Sequence, residues 1–378
     1  MTGGLKRGSA GGSRAIAAAA SALLVASVAA AQSTTLSLRG GLPPIAVEVA
    51  APSAAGIELR GGEAARADTD GIAFAQTVPL DLVSAIDGRD RALFTPELAR
   101  IAEDLWRART RLERGDAALA QPLIDRHWDR YRDASGPTAA LVAEGRLRCA
   151  LARGDIAGAV EPWLACLRHR EAGIPTRFPK LAPALDADTG LLPVLSPFAP
   201  SEQRAVVIAA FEAAGTRAES AEISRLLLAL ARGGASASSG EPRRPSTASA
   251  GTVRALELLA QIAGASEPAA LDRAVGAFDA LAKDSAEPAG PLPAWRLAAI
   301  GTGRARIARG VADPARRATE MSRAALDLLA VPASGLDRTG LVDAYALEMA
   351  ALLMRESGEP SSAAQLEALA RSGARATP

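Results

Sequence analysis

Between residues 32 and 92 apolar side chains alternate with polar ones, or run in short bursts: TTLSLRGG, IAVEVAAP, GIELRGG and TVPLDLVSAI, divided by Gly and Pro clusters. A two-residue period broken by turn formers predicts strands, so a small β-rich module is expected over 32–92. ADTDG (Ala67–Gly71) sits where a tight turn is wanted. Its Asp68 and Asp70 resemble the opening of a calcium loop, but no later acidic residue completes one, and a turn is expected.

From Phe94 the period changes. Thr95-Pro96 sets a capping residue before a proline at the first helical position, and Leu98, Ile101, Leu105 and Leu112 then recur along one helical face. The run stops at Arg114-Gly115-Asp116, and a second helix is expected with Leu119, Leu123, His127 and Tyr131 on one face. After Gly136-Pro137 the pattern returns: a helix to Ala152, then Arg153-Gly154-Asp155, then a helix through Trp163 and Leu167.

Two copies of Arg-Gly-Asp would suggest an adhesion motif, but helix grammar explains each letter. Glycine supplies the left-handed residue that closes a helix, and aspartate caps the next one. The arginine neutralises the negative end of the first helix. Glycines at 215, 264, 310 and 358 repeat this pattern, and three later helix starts carry Pro268, Pro314 and Pro360. Five residues past each glycine lies a small residue (Ala120, Ala159, Ser220, Ala269, Ala315, Ala363), expected to let paired helices approach.

Glycine spacings of 39, 61, 49, 46 and 48, with those small residues and an aromatic at Trp163, resemble the tetratricopeptide class, whose unit is about 34 residues. The first-helix Trp, Leu-Gly and Tyr of that motif are missing, and the later spacings are longer, so the resemblance is to a divergent tetratricopeptide-like repeat. It implies a mainly α chain: a right-handed α-solenoid of about six helix-turn-helix hairpins behind the β-rich module. The expected division is two hairpins over 94–171, a Pro-rich connection over 172–200, one hairpin over 201–232, a low-complexity linker over 233–251 and three hairpins over 252–373. Six prolines rule out a continuous helix across the connection. Both it and the linker are expected to protrude or span a gap. Asp186 and Asp188 form another incomplete calcium-loop look-alike. The whole chain also resembles exported proteins of unassigned role from planctomycete-type bacteria, which implies export and nothing about function.

The N-terminus bears on location. Lys6, Arg7 and Arg14 precede the apolar run Ala15–Ala31, which ends in small residues. This predicts a signal peptide over 1–31 with cleavage after Ala31 and a periplasmic or secreted product; an uncleaved anchor is the other reading. No later segment is apolar enough to span a membrane. Without Lys6, Arg7 and Arg14 the chain carries 40 basic against 42 acidic residues, with no basic stripe, so nucleic acid is not an expected partner. Aromatics are only 3% of the chain and alanine is abundant, which suits closely packed helices.

Candidate chemistry is sparse. Cys149 and Cys166 fall on two arms of one hairpin, staggered by about 9 Å, beyond disulfide reach, so two buried small residues are expected. His127 and His169 are the only histidines. No nucleophile elbow, zinc helix, P-loop or Cys-x-x-Cys is present, and Gly301-Thr-Gly303 lacks the third glycine of a dinucleotide fingerprint. Glu103-Asp104 or Glu161 could be nominated as paired carboxylates, though with 42 acidic residues the choice is arbitrary. Trp106, Trp128, Trp163 and Trp295 are expected mainly to pack. No catalytic, cofactor-binding or metal-ligating residue is therefore nominated, and no cofactor is expected. The expected function is an exported, non-catalytic protein-interaction scaffold whose partner is another envelope or periplasmic protein. The alternatives are a cell-wall-acting hydrolase, with a site between the β module and the first hairpins, or a structural subunit of an extracellular assembly.

Overall fold

The computed structural model describes residues 34–60, 65–66, 73–74, 76–214, 221–232, 250–284 and 290–375. The signal segment, the Asp68–Asp70 turn, Gly215, Ser220 and most of the low-complexity linker lie outside the described residues. Within them, the chain is mainly helical, with a small antiparallel sheet at its N-terminal end.

Strands β1 (Thr34–Leu38), β2 (Ile45–Pro52), β3 (Ile57–Arg60), β4 (Ala65–Arg66), β5 (Ala73–Phe74), β6 (Thr77–Val78) and β7 (Val83–Asp87) follow in order. The main sheet runs β6-β3-β2-β1-β7, and β4 pairs β5 in a separate ribbon. The period-two pattern is realised: Thr34, Leu36 and Leu38 of β1 point inward while Thr35 and Ser37 do not. Thr34 Oγ1 donates to Asp90 Oδ2 at 2.7 Å, the largest cause holding the Asp90 carboxyl below its usual range.

Twelve α-helices follow among the described residues: α1 (Pro96–Glu113), α2 (Ala117–Tyr131), α3 (Pro137–Ala152), α4 (Ile156–Glu171), α5 (Ser201–Ala214), α6 (Ala221–Ala231), α7 (Ala250–Gly264), α8 (Pro268–Asp284), α9 (Leu292–Arg309), α10 (Pro314–Ser334), α11 (Leu341–Glu356) and α12 (Pro360–Arg375). Each packs on the next, and α1 on α3, α7 on α9 and α9 on α11 pack across one. Thr95 Oγ1 accepts from Leu98 N at 3.3 Å, and Pro96, Pro268, Pro314 and Pro360 all open helices.

The two Arg-Gly-Asp stretches are helix turns. Gly115 and Gly154 have φ of 84° and 66°. Asp116 N reaches back to Arg111 O, and Gly115 N to Leu112 O, the paired bonds that satisfy the end of a helix closed by a left-handed glycine. Asp155 N to Ala150 O, and Glu359 N to Met354 O after Gly358, repeat the first of these. Three details differ from expectation. Arg153 turns forward onto Asp155 at 3.1 Å instead of neutralising its own helix end. Asp155 Oδ1 caps Gly158 N at 2.8 Å, whereas Asp116 makes no side-chain cap. Gly310 closes α9 with φ −77°, and Gly264 is the last residue of α7, so neither provides a left-handed turn.

That third difference shifts the small-residue register. Ala120, Ala159 and Ala363 are each the fourth residue of their helix and are buried. Ala269 and Ala315 are second residues and exposed, because α8 and α10 start later after their glycines; Leu271 takes the buried fourth place in α8. The buried face of α2 is also rotated from the expected one: Ala120, Ile124, His127, Trp128 and Tyr131 are buried, while Leu119 is 55% exposed.

The connection over 172–200 contains no α-helix, and its later part is buried, whereas most of 172–188 is exposed or half-buried. Residues 189–192 and 195–199 are buried, as is Phe178. It touches helices of several pairs. Thr252 Oγ1 of α7 donates to Thr189 O at 3.1 Å, Gly290 abuts Asp186, and the Phe198 ring lies 5.6 Å from Tyr345 of α11. Its earlier part engages α3 and α4, with Arg148 Nη2 on Ala182 O at 2.9 Å and Trp163 Nε1 on Gly190 O at 3.0 Å. Burying Phe178, Leu191, Leu192, Leu195 and Phe198 contributes on the order of 10 kcal/mol before ordering costs, which explains why a proline-broken segment stays inside.

Candidate functional site

At the contact between the sheet and the first helices sits Asp81, in a short 3-10 turn over Leu80–Leu82. Its side chain is fully buried and pairs with Arg109 Nη1 at 2.5 Å and Arg177 Nη2 at 3.3 Å. Leu80 N donates to Thr138 Oγ1 at 3.1 Å beside it. This doubly paired carboxylate ties the sheet to α1 and to the connection, in the region named for the alternative hydrolase site.

The acids that could be nominated, Glu103, Asp104 and Glu161, each lie against an arginine. Glu103 pairs with Arg39 and Arg107, and Glu161 lies 3.9 Å from Arg132 on α4. Asp104 accepts from Arg126 at 2.7 Å and contacts His127 Nε2 at 3.0 Å. Burial would raise the Asp104 carboxyl, but the hydrogen bonds from Arg126 and His127 outweigh it and hold it low. Burial is the main cause lowering His127, so this histidine is neutral and structural, linking α2 to α1.

The tryptophans mostly pack. Trp163 is fully buried with its ring edge-on to Phe211 at 5.9 Å, and Trp128 and Trp295 are buried. Trp106 is half-buried, with the Arg39 guanidinium 5.4 Å above its ring. Gly301 and Gly303 lie buried inside α9, where a Cβ on Gly303 would collide with the Ile262 carbonyl; the pair serves helix packing. Both cysteines are buried and free, and burial pushes the Cys149 thiol up to about 11 and Cys166 further.

The two described cavities share one wall, the connection at residues 183–187. The wider, about 670 Å³, opens between that wall and the loops carrying Gly290, Leu336, Asp337 and Arg338, with Trp295 in its lining. The smaller, about 330 Å³, lies between the wall, α3 and α4. Ala140, Ile174, Pro175, Pro183 and Leu185 make it mainly apolar, and Cys166 and His169 enter it from neighbouring turns of α4.

The polar groups around the smaller cavity are nearly all engaged. Glu144 accepts from Arg148, Thr176 Oγ1 and Arg177 N. Arg170 Nη2 donates to Asp188 O at 2.6 Å and Nη1 to Asp186 O at 3.4 Å, while Asp186 Oδ1 takes Thr189 N and Oγ1. Gly190, at φ 71°, packs against Arg170 and Leu167 with no room for a Cβ. His169 is the exception. It is 4% exposed, its Nε2 has no hydrogen-bond partner, and burial followed by repulsion from Arg168 pulls its pKa down to about 4. The sequence placed Cys166 and His169 one turn apart directly before the proline-rich segment, and that juxtaposition was the available signal. Among the described residues no helix is long and apolar enough to cross a membrane, and no cluster of three or more metal-ligating side chains forms. No family model, no curated protein and no solved structure is significantly similar to the chain.

Proposed function

We propose that this chain is an exported, non-catalytic interaction scaffold of the periplasm or cell envelope. In this reading its helix pairs form a right-handed α-solenoid of about six hairpins, and its partner is another envelope protein. Stacked helix pairs offer long faces that bind proteins by many shallow contacts. The observation that carries the reading is where apolar surface is left open. Leu119, Leu326 and Leu369 are the most exposed large apolar side chains among the described residues, at 55%, 62% and 55%. Each lies on the second helix of a pair, α2, α10 and α12, whereas the connection's contacts with α7 and α11 fall on first helices. The second-helix side is therefore the docking face.

Cross-linked capture from intact envelopes tests this, comparing the native chain with a Leu119→Asp, Leu326→Asp, Leu369→Asp variant of unchanged helicity. A stoichiometric envelope protein lost from the variant is expected; no enriched protein, or one retained equally by both, defeats the proposal. N-terminal sequencing of the exported product should begin at Gln32, and a product retaining Lys6 would defeat the cleavage part alone.

A further inference from the structure

We propose that the wider cavity, between the connection and the loops carrying Gly290 and Arg338, is a binding site for a small amphipathic monocarboxylate. Its carboxylate meets Arg338 and its hydrocarbon chain lies along Leu336. This goes beyond the scaffold reading and does not depend on it.

Two side chains of one loop carry the inference. Leu336 and Arg338 both line the cavity and both are exposed, Leu336 at 46%. Among the described residues Arg338 makes no hydrogen bond, ion pair or ring contact. An apolar surface and an uncommitted cation are thus offered two residues apart at the edge of a cavity.

The loop that presents them is held in place. Gly335 and Gly340 turn it at φ of 63° and 70°. Between them Asp337 Oδ1 accepts from Thr339 N and Oγ1, and Oδ2 accepts from Val342 N and Asp343 N. Leu336 N donates to Ser334 Oγ at 3.3 Å. A backbone fixed in this way costs little further ordering on binding, and the long Arg338 side chain keeps the rotamers that bring its guanidinium onto a ligand.

Charge selects the ligand's head. Asp337 is occupied by those four bonds, and Asp186 on the facing wall accepts from Thr189 N and Oγ1. Arg338 is the charged side chain of the lining with no partner, and its planar fork matches a carboxylate. The two aspartates repel a second negative charge, so a monoanion is favoured over a phosphate dianion. Size and walls select the body. A cavity of about 670 Å³ lies within the ordinary range of ligand pockets, and Ala184, Leu185, Pro193 and Ala294 extend the apolar surface that Leu336 begins.

Octanoate is the probe, with octanamide as its neutral isostere and octylammonium as its cationic counterpart. Isotopic labelling of the glycine carbonyl together with the leucine nitrogen leaves visible the amides of the chain's five Gly-Leu pairs, at Leu5, Leu42, Leu191, Leu336 and Leu341. A Leu336→Ala variant identifies the Leu336 signal. In the full chain at low ionic strength, octanoate should shift the Leu336 amide saturably, leave Leu42 in place and bind about tenfold more tightly than octanamide, the ratio one charge-assisted hydrogen bond gives. Arg338→Gln, at an exposed position without partners, should keep the helical signal and bind the two equally. A Leu336 amide unmoved by octanoate up to its micellar concentration would overturn the site. Octylammonium binding as tightly as octanoate, equal affinity of the native chain for octanoate and octanamide, or an octanoate preference surviving in Arg338→Gln would overturn the role of the guanidinium.

Discussion

Replacing Asp81 with alanine tests whether sheet, first helix and connection are joined through one buried charge. Asp81 is 0% exposed, and the Arg109 and Arg177 side chains that meet it are 17% and 12% exposed. The substitution therefore strands two guanidinium groups that are largely out of water. Breaking a buried pair in this way costs about 3–5 kcal/mol. Two features move the value toward the lower end. Arg109 Nε keeps Glu113 at 3.6 Å, and the residual exposure lets solvent screen both cations. We expect about 3 kcal/mol, against about 0.5 kcal/mol or less for Glu257→Ala, whose partner Arg254 is 51% exposed. Urea unfolding followed by tryptophan fluorescence reads both variants. Asp81→Leu combined with Arg109→Met and Arg177→Met should recover much of the loss, because packed apolar groups replace buried ions at little cost. A loss below about 1 kcal/mol for Asp81→Ala would refute the reasoning, since that is the ordinary effect of a point substitution. A triple variant no more stable than the single would refute it too.

The helix cap at the second Arg-Gly-Asp turn should matter more than the first: Asp155→Ala is expected to cost about 1 kcal/mol and Asp116→Ala a few tenths, read by the same unfolding assay. Because the Cys149 thiol is raised to about 11 and Cys166 further, neither should react with an aromatic disulfide reagent at mildly alkaline pH until the chain is unfolded. Rapid stoichiometric labelling of the native chain would contradict this. His169 titrates at about 4 when folded against 6.5 ordinarily, so between those values the unfolded chain binds more protons. The stability that comes from holding it neutral is complete above the upper value and is lost as pH falls toward the lower, by roughly 3 kcal/mol. His169→Leu should lose that much less stability over the same window.

Helix starts were legible because they are written locally. Thr95-Pro96, Asp155 and Asp313-Pro314 each carry their own cap within four residues. Faces were less so. In α2 the alternatives Leu119 and Ile124 differ by a rotation of the helix, and in an alanine-rich segment the pattern leaves that rotation poorly fixed. The inward course of residues 189–199 was not legible at all. Their apolar side chains follow no period, and the residues that bond, flank or pack against them, Thr252, Trp295 and Tyr345, are far along the chain. Likewise, a histidine that lacks a partner is recognisable only once the surrounding walls are in place, so His169 could be noticed in the sequence but given no role.

The buried connection also changes how this chain should respond to being shortened. Arrays of paired helices usually tolerate losing a terminal pair, because each pair leans only on its neighbours and the remainder stays folded. Here Phe198 rests on Tyr345, Pro193 shares a cavity with Trp295, and Ser201 is held by Glu348. Removing the C-terminal pair, residues 341–375, would uncover the middle of the chain as well as its end. Closing such distant contacts lengthens the search in folding, and it makes the early and late helices stand or fall together as one cooperative unit.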